Sequence, residues 1–276
     1  MRVIAVLLAL VSAGAASVAA AAGPERVDII PGEGVLYAFL YRPPGPGPFP
    51  AVVALHGCSS LAERSGAIAA RYKDWGERLA AAGLVVLFPD SYGSRGLRTQ
   101  CRARQEAVRV WRERVADANA ARRWLQRQSW VIPDRISLLG WSSGAMTTLW
   151  SVRPRAQVRD GKPDFRSAVA FYPSCRRLRD QAWSARIPTL ILIGTADDWT
   201  PAKVCEQMVE GARGRSAAAT IVTYPGAHHD FDLPNLVVHV RTGLAYTPDG
   251  SGRAHVGTDP TAREDALKRV PEWLAR

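Results

Sequence analysis

The chain has 276 residues and a formal net charge of +11, from 36 basic against 25 acidic side chains. That length suits one large α/β domain with a substantial core, and after residue 22 no apolar run is long enough for a transmembrane helix. The excess charge is mostly arginine, and ten arginines fall between Arg95 and Arg127 against Glu106, Glu113 and Asp117. Nucleic-acid binding would want such a stripe interleaved with exposed aromatics. Instead Val108, Trp111, Val115, Ala118 and Leu125 recur at helical spacing, which predicts an amphipathic helix with a solvated basic face.

The first 22 residues have the pattern of a cleavable export signal. Arg2 is followed by apolar Val3 to Val11, then by small residues and alanines to Ala22 with several A-x-A sites. That apolar core is too short to span a bilayer comfortably, so residues 23–276 are expected as one mature domain in an exported, periplasmic or secreted, setting. Strands are predicted at 27–30 and 35–41, followed by a proline-rich loop over 43–48. A buried strand at 51–55 leads to a helix at 67–82, which Gly83 ends, and to a strand at 84–88, which Pro89 stops. The basic helix is predicted over 105–128.

A strand at 135–139 runs into Gly140-Trp141-Ser142-Ser143-Gly144, and Ala145 to Trp150 reads as the helix beyond. G-x-S-x-G between a strand and a helix is the pattern of a sharp turn that projects a serine hydroxyl above a sheet. The same turn aims the Ser143 amide at an oxyanion on the carbonyl under attack. Further strands are expected at 167–171 and 189–193, a helix capped by Thr200-Pro201, a strand at 220–224 and a closing helix at 261–274. Residues 232–260 show no period and read as a long loop on the rim of a site. Strands alternating with helices imply a mostly parallel sheet with helices on both faces.

A serine nucleophile needs a base, and the base needs an orienting group. In sheets of this kind sites gather at the carboxyl ends of strands. Asp197 and Asp198 follow the strand at 189–193, and His228 and His229 follow the strand at 220–224. The order Ser, Asp, His is that of α/β-hydrolases. Leu55-His56-Gly57-Cys58 follows an earlier strand, so the Cys58 amide is the expected second oxyanion donor, with His56 in a structural hydrogen-bonding role.

Together, His56-Gly57-Cys58, Pro89-Asp90-Ser91-Tyr92, Gly140 to Gly144, Gly194-Thr195-Ala196-Asp197 and Tyr224 to Phe231 resemble the dienelactone hydrolase family of α/β-hydrolases, from about residue 35 to the C-terminus. The resemblance implies Asp197 rather than Asp198 as the acid and His229 rather than His228 as the base. Two departures stand out. The dienelactone-cleaving members typically use a cysteine where this chain has Ser142, and Asp230-Phe231-Asp232-Leu233 lacks their substrate-holding arginine. Arg95 is a substitute candidate for an anion contact, or a surface residue.

Cys58, Cys101, Cys175 and Cys205 lack metal-binding spacing, and in an oxidising compartment an even number predicts two disulfides. Of three pairings, Cys58 with Cys101 and Cys175 with Cys205 would join loops at the same end of neighbouring strands. The expected function is a serine hydrolase that cleaves carboxylic esters or lactones through an acyl-enzyme on Ser142. The partner is a small molecule, with no metal or organic cofactor. A prolyl-type peptidase would usually add a propeller for which this chain has no room. A non-catalytic binding protein on a hydrolase scaffold would be expected to have lost a member of the Ser142, Asp197, His229 set.

Overall fold

Val, Ile, Leu and Ala runs become the strands of one eight-stranded sheet in the computed structural model, which describes residues 23–29, 36–105 and 107–276. The expected export segment, residues 1–22, lies outside the described residues. The strands are β1 (Glu25–Ile29), β2 (Leu36–Tyr41), β3 (Phe49–Leu55), β4 (Val85–Pro89), β5 (Val131–Trp141), β6 (Ala168–Phe171), β7 (Thr189–Gly194) and β8 (Ala219–Tyr224). Their order is β1-β2-β4-β3-β5-β6-β7-β8. β1, β2 and β4 pair antiparallel, and from β4 to β8 every pairing is parallel. Helices α1 (Ala70–Ala81), α2 (Glu113–Leu125), α3 (Ser143–Ser151), α4 (Arg176–Asp180), α5 (Ala202–Gly211) and α6 (Pro260–Ala275) accompany the sheet.

The parallel strands are buried along their whole length where helices cover them: every residue of β4 and β7 is buried. One hydrophobic core joins residues from Ile29 to Leu274. Register then fixes the site. Leu55 pairs with Gly140, Trp141 with Phe171, and Gly194 with Tyr224. The carboxyl ends of β3, β5, β6, β7 and β8 therefore lie along one edge, and the loops that leave them meet there.

Four expectations are corrected. The basic helix begins at Glu113, not at residue 105, because Glu113 turns back to accept from the Arg109 amide at 2.9 Å and its guanidinium at 2.6 Å. Its basic face is not wholly solvated either: Arg114 and Arg122 are fully buried. Arg122 spends its fork on the Pro163 carbonyl and Asp160, since a planar guanidinium can satisfy several acceptors at once. Residues 232–260 contain a hairpin, β9 (His239–Thr242) paired antiparallel with β10 (Arg253–Val256). Its strands are too short and too rich in His and Arg to show an apolar period. Finally, Thr200 does not cap α5. The cap position is Pro201, without a side-chain bond, and the Thr200 hydroxyl serves Asp197 instead.

Candidate active site

Ser142 follows β5 directly and opens α3 with φ 50° and ψ −113°. A non-glycine residue in that region costs about 1–3 kcal/mol and persists only where its surroundings hold it. The surroundings here are close-packed. A Cβ on Gly140 would overlap the Gly144 carbonyl, and one on Gly144 would overlap the Leu55 carbonyl. Only glycine lets α3 sit this near to β3 and β5, so both flanking glycines of the motif have a steric cause.

The Ser142 Oγ lies 3.0 Å from Nε2 of His229, on the loop after β8. The other ring nitrogen, Nδ1, donates to Oδ2 of Asp197 at 2.8 Å. That assignment leaves the Nε2 lone pair facing the serine hydroxyl. Asp197 follows β7 and is held by four donors. The Trp199 and Thr200 amides reach Oδ1 at 3.0 and 2.7 Å, and the Thr200 hydroxyl joins His229 at Oδ2 at 2.8 Å. Asp197 and His229 are both buried. The rings of Tyr172 and Trp199 flank the imidazole at 4.4 and 4.6 Å between centroids.

The neighbours point elsewhere. Asp198 pairs with His255 at 2.7 Å on the surface, and His228 Nδ1 donates to the Ala196 carbonyl at 2.9 Å. The Gly257 amide donates to the His229 carbonyl at 3.0 Å, so the end of the hairpin pins the histidine loop. Arg95 is turned to Asp117 at 2.8 Å and to the Ser91 carbonyl at 2.7 Å.

Cys58 and Ser143 line one cleft together with Ser142. Ser143 is the first residue of α3, where an amide has no intrahelical acceptor. The Cys58 amide has no acceptor among the described residues. The Gly57 amide is spent on the Tyr72 hydroxyl at 2.8 Å. His56 Nδ1 donates to the Gly57 and Ser59 carbonyls at 2.9 and 3.2 Å, which folds the loop around its own imidazole.

Burial, with Arg114 adding to it, pushes the His56 imidazole well below its ordinary 6.5. The ring is therefore neutral in the folded chain at working pH. Above 6.5 neither the folded nor the unfolded chain holds this proton. Below it only the unfolded chain takes the proton up, so stability falls by up to about 1.4 kcal/mol per pH unit. Thermal midpoints measured from pH 7.5 to 5.5 are expected to drop, and more steeply than in His56→Asn.

The structure joins four cysteines as Cys58–Cys101 and Cys175–Cys205, with Cα separations of 4.9 and 5.1 Å. Cys58, Cys101 and Cys175 also line the cleft. Sequence reasoning missed Asp232, whose fully buried carboxylate accepts the indole N–H of Trp75 and of Trp141 at 2.8 Å each, and the Tyr172 hydroxyl. It thereby ties the histidine loop to the strand residue before Ser142. Beside it Arg71 contacts Asp230 at 2.7 Å. Burial alone would raise the Asp230 carboxyl, and the surrounding positive groups, Arg71 foremost with Arg241 also contributing, together hold it below the usual range. The only signal for Asp232 was its nearness to His229.

The cleft above Ser142 encloses about 830 Å³ and is lined by Arg104, Arg109, Arg176, Arg177, Trp111 and Trp199 among others. Among the described residues a single carboxylate, Asp180, lines it.

The model of the dienelactone hydrolase family matches residues 36–276. The chain belongs to this family. It shares the mostly parallel α/β-hydrolase fold and is a carboxylic-ester hydrolase. It is 25% identical over 211 residues to a probable 2-oxo-3-(5-oxofuran-2-ylidene)propanoate lactonase of a Bradyrhizobium species, covering 70% of this chain and 78% of that one. Among solved structures it is similar to a candidate dienelactone hydrolase of Klebsiella pneumoniae at TM-score 0.69 and 21% identity, over 92% of this chain and 100% of the other. It is also similar to Thermogutta terrifontis esterase 2 phosphorylated by paraoxon, at TM-score 0.64 and 21% identity, over 92% and 94%.

Proposed function

We propose that the protein is an exported serine hydrolase that cleaves carboxylic esters or lactones through an acyl-enzyme on Ser142. The observation that carries this reading is the unbroken hydrogen-bonded chain from Ser142 Oγ through His229 to Asp197. His229 Nε2 takes the hydroxyl proton as Oγ attacks the carbonyl carbon. Asp197 holds the imidazole in the required tautomer and stabilises its positive charge. The Cys58 and Ser143 amides receive the oxyanion, a contribution typically worth about 10²–10³-fold in rate per donor. When the tetrahedral adduct collapses, His229 returns the proton to the leaving oxygen. Water then attacks the acyl group on Ser142 as the same histidine takes its proton. Collapse of this second adduct breaks the acyl–Oγ bond, His229 returns the proton to Oγ, and the carboxylic acid leaves. The cycle is complete with these groups.

Export is supported by the charged, apolar and alanine-rich order of residues 1–22 and by two disulfides, which persist in oxidising compartments. Fractionating cells that express the full chain, beside one that starts at Gly23, tests it. Only the full chain is expected outside the cytoplasm.

The arginines of the cleft favour esters that carry a negative charge away from the scissile bond. For a matched pair of aryl esters, one neutral and one bearing a remote carboxylate, kcat/KM is expected to be about tenfold higher for the anion at low salt. The advantage should shrink as ionic strength shortens the screening length. Equal rates at all salt concentrations would remove the preference while leaving ester hydrolysis intact. The class of reaction is tested by turnover of p-nitrophenyl esters of graded chain length. Activity on aminoacyl-proline amides but on no ester would overturn it.

A further inference from the structure

Arg114 poses a physical problem. Its side chain is fully buried, and among the described residues no carboxylate lies within 4.0 Å of it. Its Nε has no acceptor among the described residues. Burying a charge without a close partner costs several kcal/mol, and methionine or leucine would fill similar space without that cost. What the guanidinium does hold is specific. Nη2 donates to the His56 carbonyl at 2.5 Å, and Nη1 donates to the Ser143 hydroxyl at 3.0 Å. The Tyr92 ring lies 5.0 Å from the guanidinium carbon.

Those two acceptors belong to the two pieces of chain that carry the proposed oxyanion amides. His56 stands two residues before Cys58, and Ser143 bears its own amide. We infer that Arg114 is a positioning residue of the oxyanion hole, tying the Cys58 loop to the Ser143 turn and fixing a positive charge behind both amides. The inference rests on the reading of Ser142 as nucleophile. A rigid fork suits this task because its two outer nitrogens diverge at a fixed angle, whereas a lysine ammonium would reach one acceptor and leave the other. Negative charge that develops on the substrate oxygen meets a cation in a water-poor surrounding, where such an interaction is strengthened.

The assignment also accounts for parts of the chain that the proton relay does not use. Asp90 accepts from the Tyr92 and Gly93 amides at 3.2 and 2.7 Å and so sets Tyr92 against the guanidinium. The Asp90 carboxylate faces His56 Nε2 at 3.8 Å, and the His56 ring meets Tyr92 edge to face at 4.8 Å. Burial raises the Asp90 carboxyl, and Arg114 is among the groups that pull it back down. The motif Pro89-Asp90-Ser91-Tyr92 thus becomes the far wall of the oxyanion loop.

The test compares the mature chain with Arg114→Met, Arg114→Lys and Ser143→Ala. Measured quantities are kcat and KM on p-nitrophenyl acetate, the thermal midpoint, and affinity for an aryl trifluoromethyl ketone, which adds to the serine as a tetrahedral oxyanion. Arg114→Met is expected to lose about 10²-fold in kcat with little change in KM, and the ketone to bind more weakly by a similar factor. Arg114→Lys, which keeps the charge, should fall between Met and wild type. Ser143→Ala keeps its amide and loses only the tie, so a drop of about tenfold in kcat at an unchanged thermal midpoint is expected. Folded Arg114→Met with wild-type kcat and ketone affinity would overturn the inference. Should that variant not fold, an unchanged kcat in Ser143→Ala overturns it instead. Failure of a fluorophosphonate to label Ser142 in the wild-type chain would instead undo the reading beneath it.

Discussion

Ser142→Ala is expected to lower kcat for a p-nitrophenyl ester by about 10⁶-fold, the loss typical when a nucleophile that works as one unit with its base is removed. KM should change little, because the cleft walls and both amides remain. The chain should stay folded: alanine keeps the Cβ, and Ser142 makes no side-chain cap to α3. Steady-state rates on the purified variant check the first part, and a thermal melt checks the second. Ser142→Gly separates strain from chemistry at the same position. With φ 50° and ψ −113° available to glycine at little cost, this variant should be as inactive as the alanine one. It should also be more stable than it by about 1 kcal/mol, since strain at functional turns is of that order. A glycine variant less stable than the alanine one would show that the turn is not strained.

Asp197→Asn is expected to reduce kcat by about 10⁴-fold at neutral pH, through the tautomer of His229 rather than through loss of the fold. The amide oxygen of the new side chain would stay with the Trp199 and Thr200 amides, which hold Oδ1 now. Its NH₂ would then face His229 Nδ1, a nitrogen that must accept in response. The ring proton moves to Nε2, where it confronts the Ser142 hydroxyl and no base remains. Asp198→Asn is the control. That residue forms a half-exposed pair with His255, and such pairs are worth about 0–1 kcal/mol, so kcat should stay within a factor of about five. The reverse order of effects would transfer the acid's role to Asp198. Rates of both variants on one ester settle the order.

The positions of the strands and the serine turn were legible because their physics is local. Gly140 and Gly144 are dictated by a turn too tight for side chains at those positions, and buried parallel strands show as unbroken apolar runs such as Val85 to Phe88. The choice between Asp197 and Asp198, or between His228 and His229, was not local. It depended on family resemblance, and in three dimensions on the Trp199 and Thr200 amides that turn one carboxylate inward. Arg114 escaped for a different reason. Helical period places it beside exposed arginines, and nothing in composition says that the His56 carbonyl and Ser143 hydroxyl wait to receive its fork. Asp232 is similar, since its partners Trp75 and Trp141 are far away in the chain. Buried polar pairs are satisfied by long-range contacts, which periodicity does not record.

The central claim is that one hydroxyl carries the acyl group. Labelling the purified protein with a fluorophosphonate and mapping the modified peptide tests this most directly, because the reagent phosphylates a serine that its base has activated. Stoichiometric label on Ser142, loss of ester turnover in step with labelling, and no label in Ser142→Ala are expected. Label on another residue, or ester turnover that survives complete modification of Ser142, would contradict it.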